Sequence, residues 1–330
     1  MCFIVSDVCP KEVPRLSEVA ALCHQWDIMF EDILNNLDVS LEPFAVCELY
    51  GNCQLGLGPR SHAILHYVLG GEGEAVIAGG TRFPVAQGSV ILVPAFVRHS
   101  LHGVGAEKSP IPECRPLDDG FQIVQEGKGA RSMTAVCGRV DVFYKGLQGV
   151  FPLIRSPMVE HLATDDTVRM ALDSFVKEMA SPALGTLALG RTLLLQCMIV
   201  LLRRRRLADD QALKWIDGVA DENTWGALKA MLETPGNPHS VDSLADQVGT
   251  SRATFARRFQ KSYGVGPMQL LRDIRLRRSA EILTSTDLPI KRIADMVGYR
   301  SRSYFSRAFE EEFGLPPDAF RQEVRAQERP

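Results

Sequence analysis

No CxxC pair occurs in this chain: its eight cysteines, at positions 2, 9, 23, 47, 53, 114, 137 and 197, are scattered. A 330-residue chain is too large to need disulfides, so most of these thiols are expected to be reduced and buried. Also missing is any run of about 18 uninterrupted apolar residues, the length a bilayer-spanning helix needs. The start, MCFIVSDVCPKEVP, has no basic region ahead of a long apolar core. Neither a membrane span nor a secretory signal is therefore expected, and the expected location is the cytoplasm. No nucleophile constellation and no phosphate-cradling glycine loop stands out, and GGEGEA (70–75) reads as a hairpin turn. With 45% hydrophobic and 23% charged residues, the composition is that of a soluble globular protein, and its length suggests two domains.

Charge is divided unevenly. Residues 238–330 hold 16 Lys+Arg and 12 Asp+Glu, a net +4, which leaves −7 of the total −3 for residues 1–237. An excess of base at one end points to an acidic partner there.

That basic end is a duplication. Leu244, Ala245, Asp246, Val248 and Gly249 align with Ile293, Ala294, Asp295, Val297 and Gly298. After a one-residue insertion, Phe255, Phe259, Tyr263, Gly264 and Pro267 align with Phe305, Phe309, Phe313, Gly314 and Pro317. In each copy a short helix shows one apolar face, a glycine ends it, and a second helix begins, with Ser251 as N-cap in the first copy. Phenylalanines four apart on the second helix share one face. This is the outline of a helix-turn-helix, whose second helix presents its outer face.

The outer face of copy one carries Arg252, Ala253, Ala256 and Arg257; that of copy two carries Arg302, Ser303, Ser306 and Arg307. Neither has a carboxylate. Arginine pairs bidentately with guanine edges in the major groove and serine contacts bases or phosphate, so these eight positions are the candidate DNA contacts. Between the copies, MQLLRDIRLRRSAEILTSTD reads as a helix with Leu276, Ala280 and Leu283 on one stripe and Arg272, Arg275, Arg277 and Arg278 around it. Roughly sixteen helical residues make a spacer of about 24 Å. Such a spacer suits two reading heads near the separation, about 34 Å, of successive major grooves.

Residues 41–150 differ in texture, with apolar runs of four to eight residues broken by glycines, which predicts a small all-β barrel or sandwich. Residues 104–120 have loop composition. VRMALDSFVKEMA and LALGRTLLLQCMIVLLRRRRLA read as helices, the second ending in Arg203–Arg206, a solvated cap suited to a helix C-terminus.

On these motifs residues 238–323 resemble the DNA-binding domain of the AraC/XylS transcriptional regulators. Ile293, Ala294, Gly298, Tyr304, Phe305, Phe309, Gly314, Pro317 and Arg321 fall where that family places its framework, and Arg275, Leu276, Ala280 and Leu283 match its connector helix. TRFPVAQGSVILVPAFVRHSLHG, with Pro84, Gly88, Pro94 and His99, resembles the cupin strand-turn-strand. LHYVLGGEGEAVI is similar to that family's first motif, and TAVCGRVDVF to a later strand of cupin-like sensors attached to AraC-type regulators. The resemblance implies an α+β multidomain protein: an N-terminal helical arm (1–40), a cupin-like β-barrel sensor (41–150), a helical linker and dimerisation region (151–220), and an all-α domain with two helix-turn-helix motifs (221–330).

It also implies a regulator and not an enzyme: a transcription activator that binds double-stranded promoter or operator DNA, recruits RNA polymerase, dimerises, and answers a small-molecule effector such as a sugar, an aromatic acid or a cyclic dinucleotide. Ala253 and Ala256 are smaller than the readers common in that family, so copy two is expected to discriminate sequence more strongly. For the effector, polar groups beside apolar strands nominate Arg60, His62, His66, Arg98 and His99. No cofactor, metal or membrane partner is expected: cupin enzymes use an HxH pair, whereas His62 and His66 are four apart. Two alternatives remain, a metalloenzyme using His62, His66, Glu72 and His99, and a thiol-based redox sensor in which two of Cys47, Cys53, Cys114 and Cys137 meet.

Overall fold

Alternation along the strands sorts the N-terminal half into two layers of packing. The computed structural model describes residues 37–77, 80–104, 122–144, 147–148, 156–181, 183–208 and 221–328, with Glu31, Leu213 and Gly218 as single positions. Its strands are β1 (Leu37–Tyr50), β2 (Gln54–Leu57), β3 (Ala63–Ile77), β4 (Thr81–Ala86), β5 (Ser89–Val93), β6 (His99–Gly103), β7 (Gln122–Gly127), β8 (Arg131–Tyr144), β9 (Leu147–Gln148) and β10 (Met158–His161). On β3, Leu65 and Tyr67 point to one buried cluster and Ile64 and Val68 to another, as a period of two requires. The predicted arm at 1–40 otherwise lies outside the described residues, but 37–40 already belong to β1. The predicted loop at 104–120 also lies outside them, apart from Val104.

The sheet runs in the order β10-β5-β3-β8-β1-β7, and β4 and β6 pair with the far half of β3, β2 with β6, and β9 with β8. Strand β3 serves both layers. Its first half pairs with β5 and β8, its second with β4 and β6, and the register slips between Val68 and Gly70. GGEGEA is therefore no hairpin turn: it is the bend at which one long strand crosses between layers and nearly closes the barrel. Gly71 has φ +79°, and a Cβ there would lie 2.0 Å from the Ser132 carbonyl oxygen, so the crossing needs glycine. Inside lie Ala45, Cys47, Leu55, Ile91, Leu101 and Cys137, among others.

The outer face is covered by helices. Asp165 caps α1 (Asp166–Ala180) by accepting from the Thr167 and Val168 N–H groups. In α2 (Thr186–Leu207), Leu193, Leu194, Cys197, Met198 and Leu201 pack into the cluster that holds Val46, Leu65, Tyr67, Val90 and Val136 of the sheet. Burial of each such side chain contributes about 1.5–3 kcal/mol. By length and composition α2 is apolar enough to cross a membrane, yet half of its apolar window is buried inside the protein, as in the core helix of a globular fold. The arginine run at its end is more than a solvated cap. Arg204 donates to the His161 carbonyl at 2.8 Å, and Arg205 pairs with Glu160 at 3.0 Å, tying α2 to β10.

The C-terminal region contains α3 (Glu222–Glu233), α4 (Val241–Gln247), α5 (Arg252–Tyr263), α6 (Pro267–Ser285), α7 (Ile290–Met296), α8 (Arg302–Phe313) and α9 (Pro317–Glu328). Helices α4 and α5 form one helix-turn-helix, α7 and α8 the other, and α6 joins them. With 19 residues α6 is about 28 Å long, three residues beyond the sequence-based expectation. Leu276, Ala280 and Leu283 are fully buried along it.

Candidate nucleic-acid interface and sensor site

The two reading heads are built alike, down to their caps. Ser251 accepts from the Thr254 N–H and Ser301 from the Tyr304 N–H, and the helices end on Gly264 and Gly314 at φ 72° and 73°. Ring centroids of Phe255 and Phe259 are 5.4 Å apart, and those of Phe305 and Phe309 are 5.7 Å apart, all four side chains being buried. Anchoring one face in this way leaves the other to solvent. Arg252, Ala253, Arg257, Arg302, Ser303 and Arg307 are exposed, while Ala256 and Ser306 are half-buried. The structure thus puts all eight sequence-nominated positions on the outward faces of α5 and α8.

Their electrostatics differ. Arg252 is engaged by Asp242 of α4 at 2.8 Å. Among the described residues no carboxylate pairs with Arg257, Arg302 or Arg307, so these three cations are available to an outside anion. The connector arginines are used internally. Arg272 pairs with Glu311 at 2.8 Å, and Arg275 donates to the carbonyls of Pro235 and Asn237 at 2.7 and 2.8 Å. Gly298 makes room for Arg275: at φ +86° its hypothetical Cβ would sit 2.9 Å from the guanidinium.

The effector candidates separate into three groups. His66 and His99 meet inside the barrel, Nε2 to Nε2 at 2.8 Å. His66 Nδ1 lies 3.0 Å from Cys137 Sγ, Cys137 Sγ lies 3.5 Å from Cys47 Sγ, and His99 Nδ1 lies 3.2 Å from the Val97 carbonyl. Burial holds both imidazoles neutral: the His66 pKa falls well below the usual histidine value and that of His99 is lowered to about 4. His62 and Arg60 lie just before β3. Burial, then Arg139 and Arg60, lower the His62 pKa to about 3. Arg98 points elsewhere, into an ion pair with Glu323 of α9.

The thiol and imidazole donors follow one another in a line. Among the described residues no three His, Cys, Asp or Glu side chains are arranged to hold a metal ion. Sequence reasoning missed two features. One is an open cleft of about 600 Å³ lined by Glu72, Glu74, Arg82, Ser89, His102 and His161, among others, which none of the five nominated effector residues lines. The other is the turn Pro94–Arg98. Its Phe96, at φ 63°, inserts its ring between barrel and second helix-turn-helix, 5.8 Å from both Phe313 and Phe320. The apolar PAF in VPAFVRH was the available signal, but nothing local states what it packs against.

Comparison with known proteins adds a family. Residues 244–323 match a helix-turn-helix domain model, and residues 29–205, more than half the chain, match a cupin model. A helix-turn-helix-type transcriptional regulator of Haemophilus influenzae is 26% identical over 84% of this chain and 93% of its own. The RCS-specific HTH-type transcriptional activator RclR of Escherichia coli K12 is 28% identical over 84% and 92%. A Streptomyces lividans protein described as an AraC-like transcription regulator is 31% identical over 64% of this chain and 72% of its own.

Proposed function

The chain belongs to the AraC-like helix-turn-helix transcription regulators that carry a cupin domain, and from that premise we propose that it reads duplex DNA with α5 and α8 under control of its barrel. One observation carries this reading: two identically framed helices expose Arg257, Arg302 and Arg307, none of which pairs with a carboxylate among the described residues. Contacts to phosphate by these cations give affinity, and contacts to guanine edges give sequence preference. Copy two, with Arg302, Ser303, Ser306 and Arg307, discriminates sequence more than copy one, whose Ala253 and Ala256 reach no base edge by hydrogen bonding.

In the proposed mechanism a small-molecule effector held in the N-terminal domain shifts the equilibrium between arrangements of the reading heads. The protein acts in the cytoplasm as a homodimer through its linker helices, contacts RNA polymerase, and catalyses no reaction. Activation of transcription is the direction supported by the name of one relative, RclR.

Selection of bound duplexes from a randomised pool by the full-length protein supplies the test. With the selected duplex, Arg307→Ala is expected to lower affinity by about 1–3 kcal/mol and to relax preference at one base position. Affinity should fall steeply with salt. An unchanged affinity and an unchanged preference in the Arg302→Ala, Arg307→Ala double variant would remove α8 from the interface.

A further inference from the structure

Register sets Cys47, Cys137 and His66 side by side, and a side-chain contact from β6 adds His99, so that four side chains lie end to end inside the barrel. Cys137 of β8 lies directly across from His66 of β3, and Cys47 of β1 sits diagonally from Cys137, which faces Ala45. Proton positions along the line follow from its last member. The Val97 carbonyl can only accept, so His99 Nδ1 carries a hydrogen; a neutral His99 then accepts at Nε2 from His66 Nε2–H. That leaves His66 Nδ1 as acceptor for the Cys137 S–H, and the Cys137 sulfur as acceptor towards Cys47.

The line ends at a strained turn. Phe96 is the only non-glycine residue with positive φ among the described residues, a conformation that a side-chain-bearing residue keeps only where its surroundings hold it. What holds it is visible. Its N–H donates to the Arg60 carbonyl at 2.7 Å, and its ring packs on Phe313 and Phe320. Beside it, Arg277 of α6 donates to the Ala95 carbonyl at 3.4 Å, and Arg98 pairs with Glu323. The turn is the barrel's contact with the second reading head, and the His99 bond to Val97 is its link to the thiols.

We infer that Cys47 and Cys137 are a redox modification site, closed to a disulfide by a small hydroperoxide, and that closure releases the Pro94–Arg98 turn from the second helix-turn-helix. In the first step His66 Nδ1 takes the Cys137 proton as the thiolate attacks the peroxide oxygen. The O–O bond breaks, the departing hydroxide takes that proton as water, and Cys137 becomes a sulfenic acid. Cys47 then attacks the sulfenic sulfur; the S–O bond breaks and hydroxide leaves as a second water with the Cys47 proton. Two thiols are oxidised and one hydrogen peroxide is reduced.

The sulfurs must close from 3.5 Å to about 2.05 Å, and diagonal pairing obliges β1 and β8 to shift as they do so. A disulfide has no S–H, so buried His66 Nδ1 loses its donor. With nothing to hold that nitrogen, the His66 ring is no longer fixed: it turns, carries its Nε2–H away from His99 Nε2, and so removes the bond that orients the His99 ring toward the Val97 carbonyl. The turn then relaxes from its strained conformation.

Full-length protein treated with hydrogen peroxide, unfolded in alkylating agent and mapped by mass spectrometry tests the site. The expected product is a peptide pair joined through Cys47 and Cys137, lighter by two hydrogens and separated by dithiothreitol, while Cys197 remains alkylated. In Cys47→Ser, or Cys47→Ala if the hydroxyl disturbs that core, Cys137 should instead be trapped as the sulfenic acid by dimedone. Recovery of both residues as alkylated thiols, or their linkage to other cysteines, overturns the site.

Amide exchange at Phe96–Arg98 should quicken at least tenfold in the oxidised protein and not in the Cys47 variant; unchanged exchange with the disulfide present overturns the coupling. The coupling acquires its regulatory meaning from the proposed function, but neither readout involves DNA. Failure to bind DNA in both redox states would therefore sink that reading and leave the disulfide standing.

Discussion

Replacing Phe309 with alanine is expected to destabilise the protein by about 3–5 kcal/mol, the usual cost of deleting a fully buried aromatic ring. Phe309 has no exposed surface and meets Phe305, Phe313 and Phe320 at centroid distances of 5.7, 4.5 and 5.2 Å. Those rings join α8 and α9 to one core, so the site has no flexible surface chain with which to refill. Urea unfolding should show the loss directly, and DNA affinity should fall because α8 no longer has a fixed outward face. Arg307→Ala is the matched control: exposed and with no ion pair among the described residues, it should change affinity and leave stability within about 0.5 kcal/mol. A Phe309→Ala protein as stable as the original would mean that this core is not the one described.

Acidification should weaken the barrel, and His99 should account for much of the slope. Its folded pKa is lowered to about 4 by burial, against an unfolded value of 6.5. Above pH 6.5 neither state binds the proton, and there is no effect. As pH falls from 6.5 towards 4 the unfolded chain takes up a proton that the folded chain refuses, so stability is lost across that window. At about 1.4 kcal/mol per unit, the loss at pH 5 is about 2 kcal/mol from His99 alone. His66, shifted the same way by burial and by its histidine neighbour, adds to it. Urea midpoints at pH 7 and pH 5 measure the effect, and His99→Gln, which keeps a donor for Val97, should flatten it. An equal pH slope in that variant would show that His99 titrates normally and is not enclosed.

Much of the DNA-reading half could be read without coordinates because its determinants are local. Phenylalanines four apart, a glycine at each turn and a serine before each second helix suffice to orient α5 and α8, and repetition checks each inference against its copy. The barrel was legible as a class but not in detail. GGEGEA reads as a turn because paired glycines suit the end of a strand as well as a bend within one, and only the pairing of β3 with four other strands decides which.

His66 and His99 were nominated as pocket residues on composition, and they do converge. Their partners Cys137 and Val97 lie 71 and 2 residues away along the chain, a difference that no periodicity reports. Arg98 looked like an effector ligand for the same reason and is instead committed to Glu323, 225 positions later in the sequence.

By itself the sequence determined what depends on neighbours along the chain: helix faces, caps, the duplicated framework, and which arginines point outward. Tertiary structure alone decided what depends on strand register and on contact between distant segments, namely the Cys47, Cys137, His66 and His99 line and the seating of Phe96 against the second reading head. The physical reason is that a helix repeats within four residues and carries its own hydrogen bonds, whereas a strand acquires its partners only when the chain returns to it.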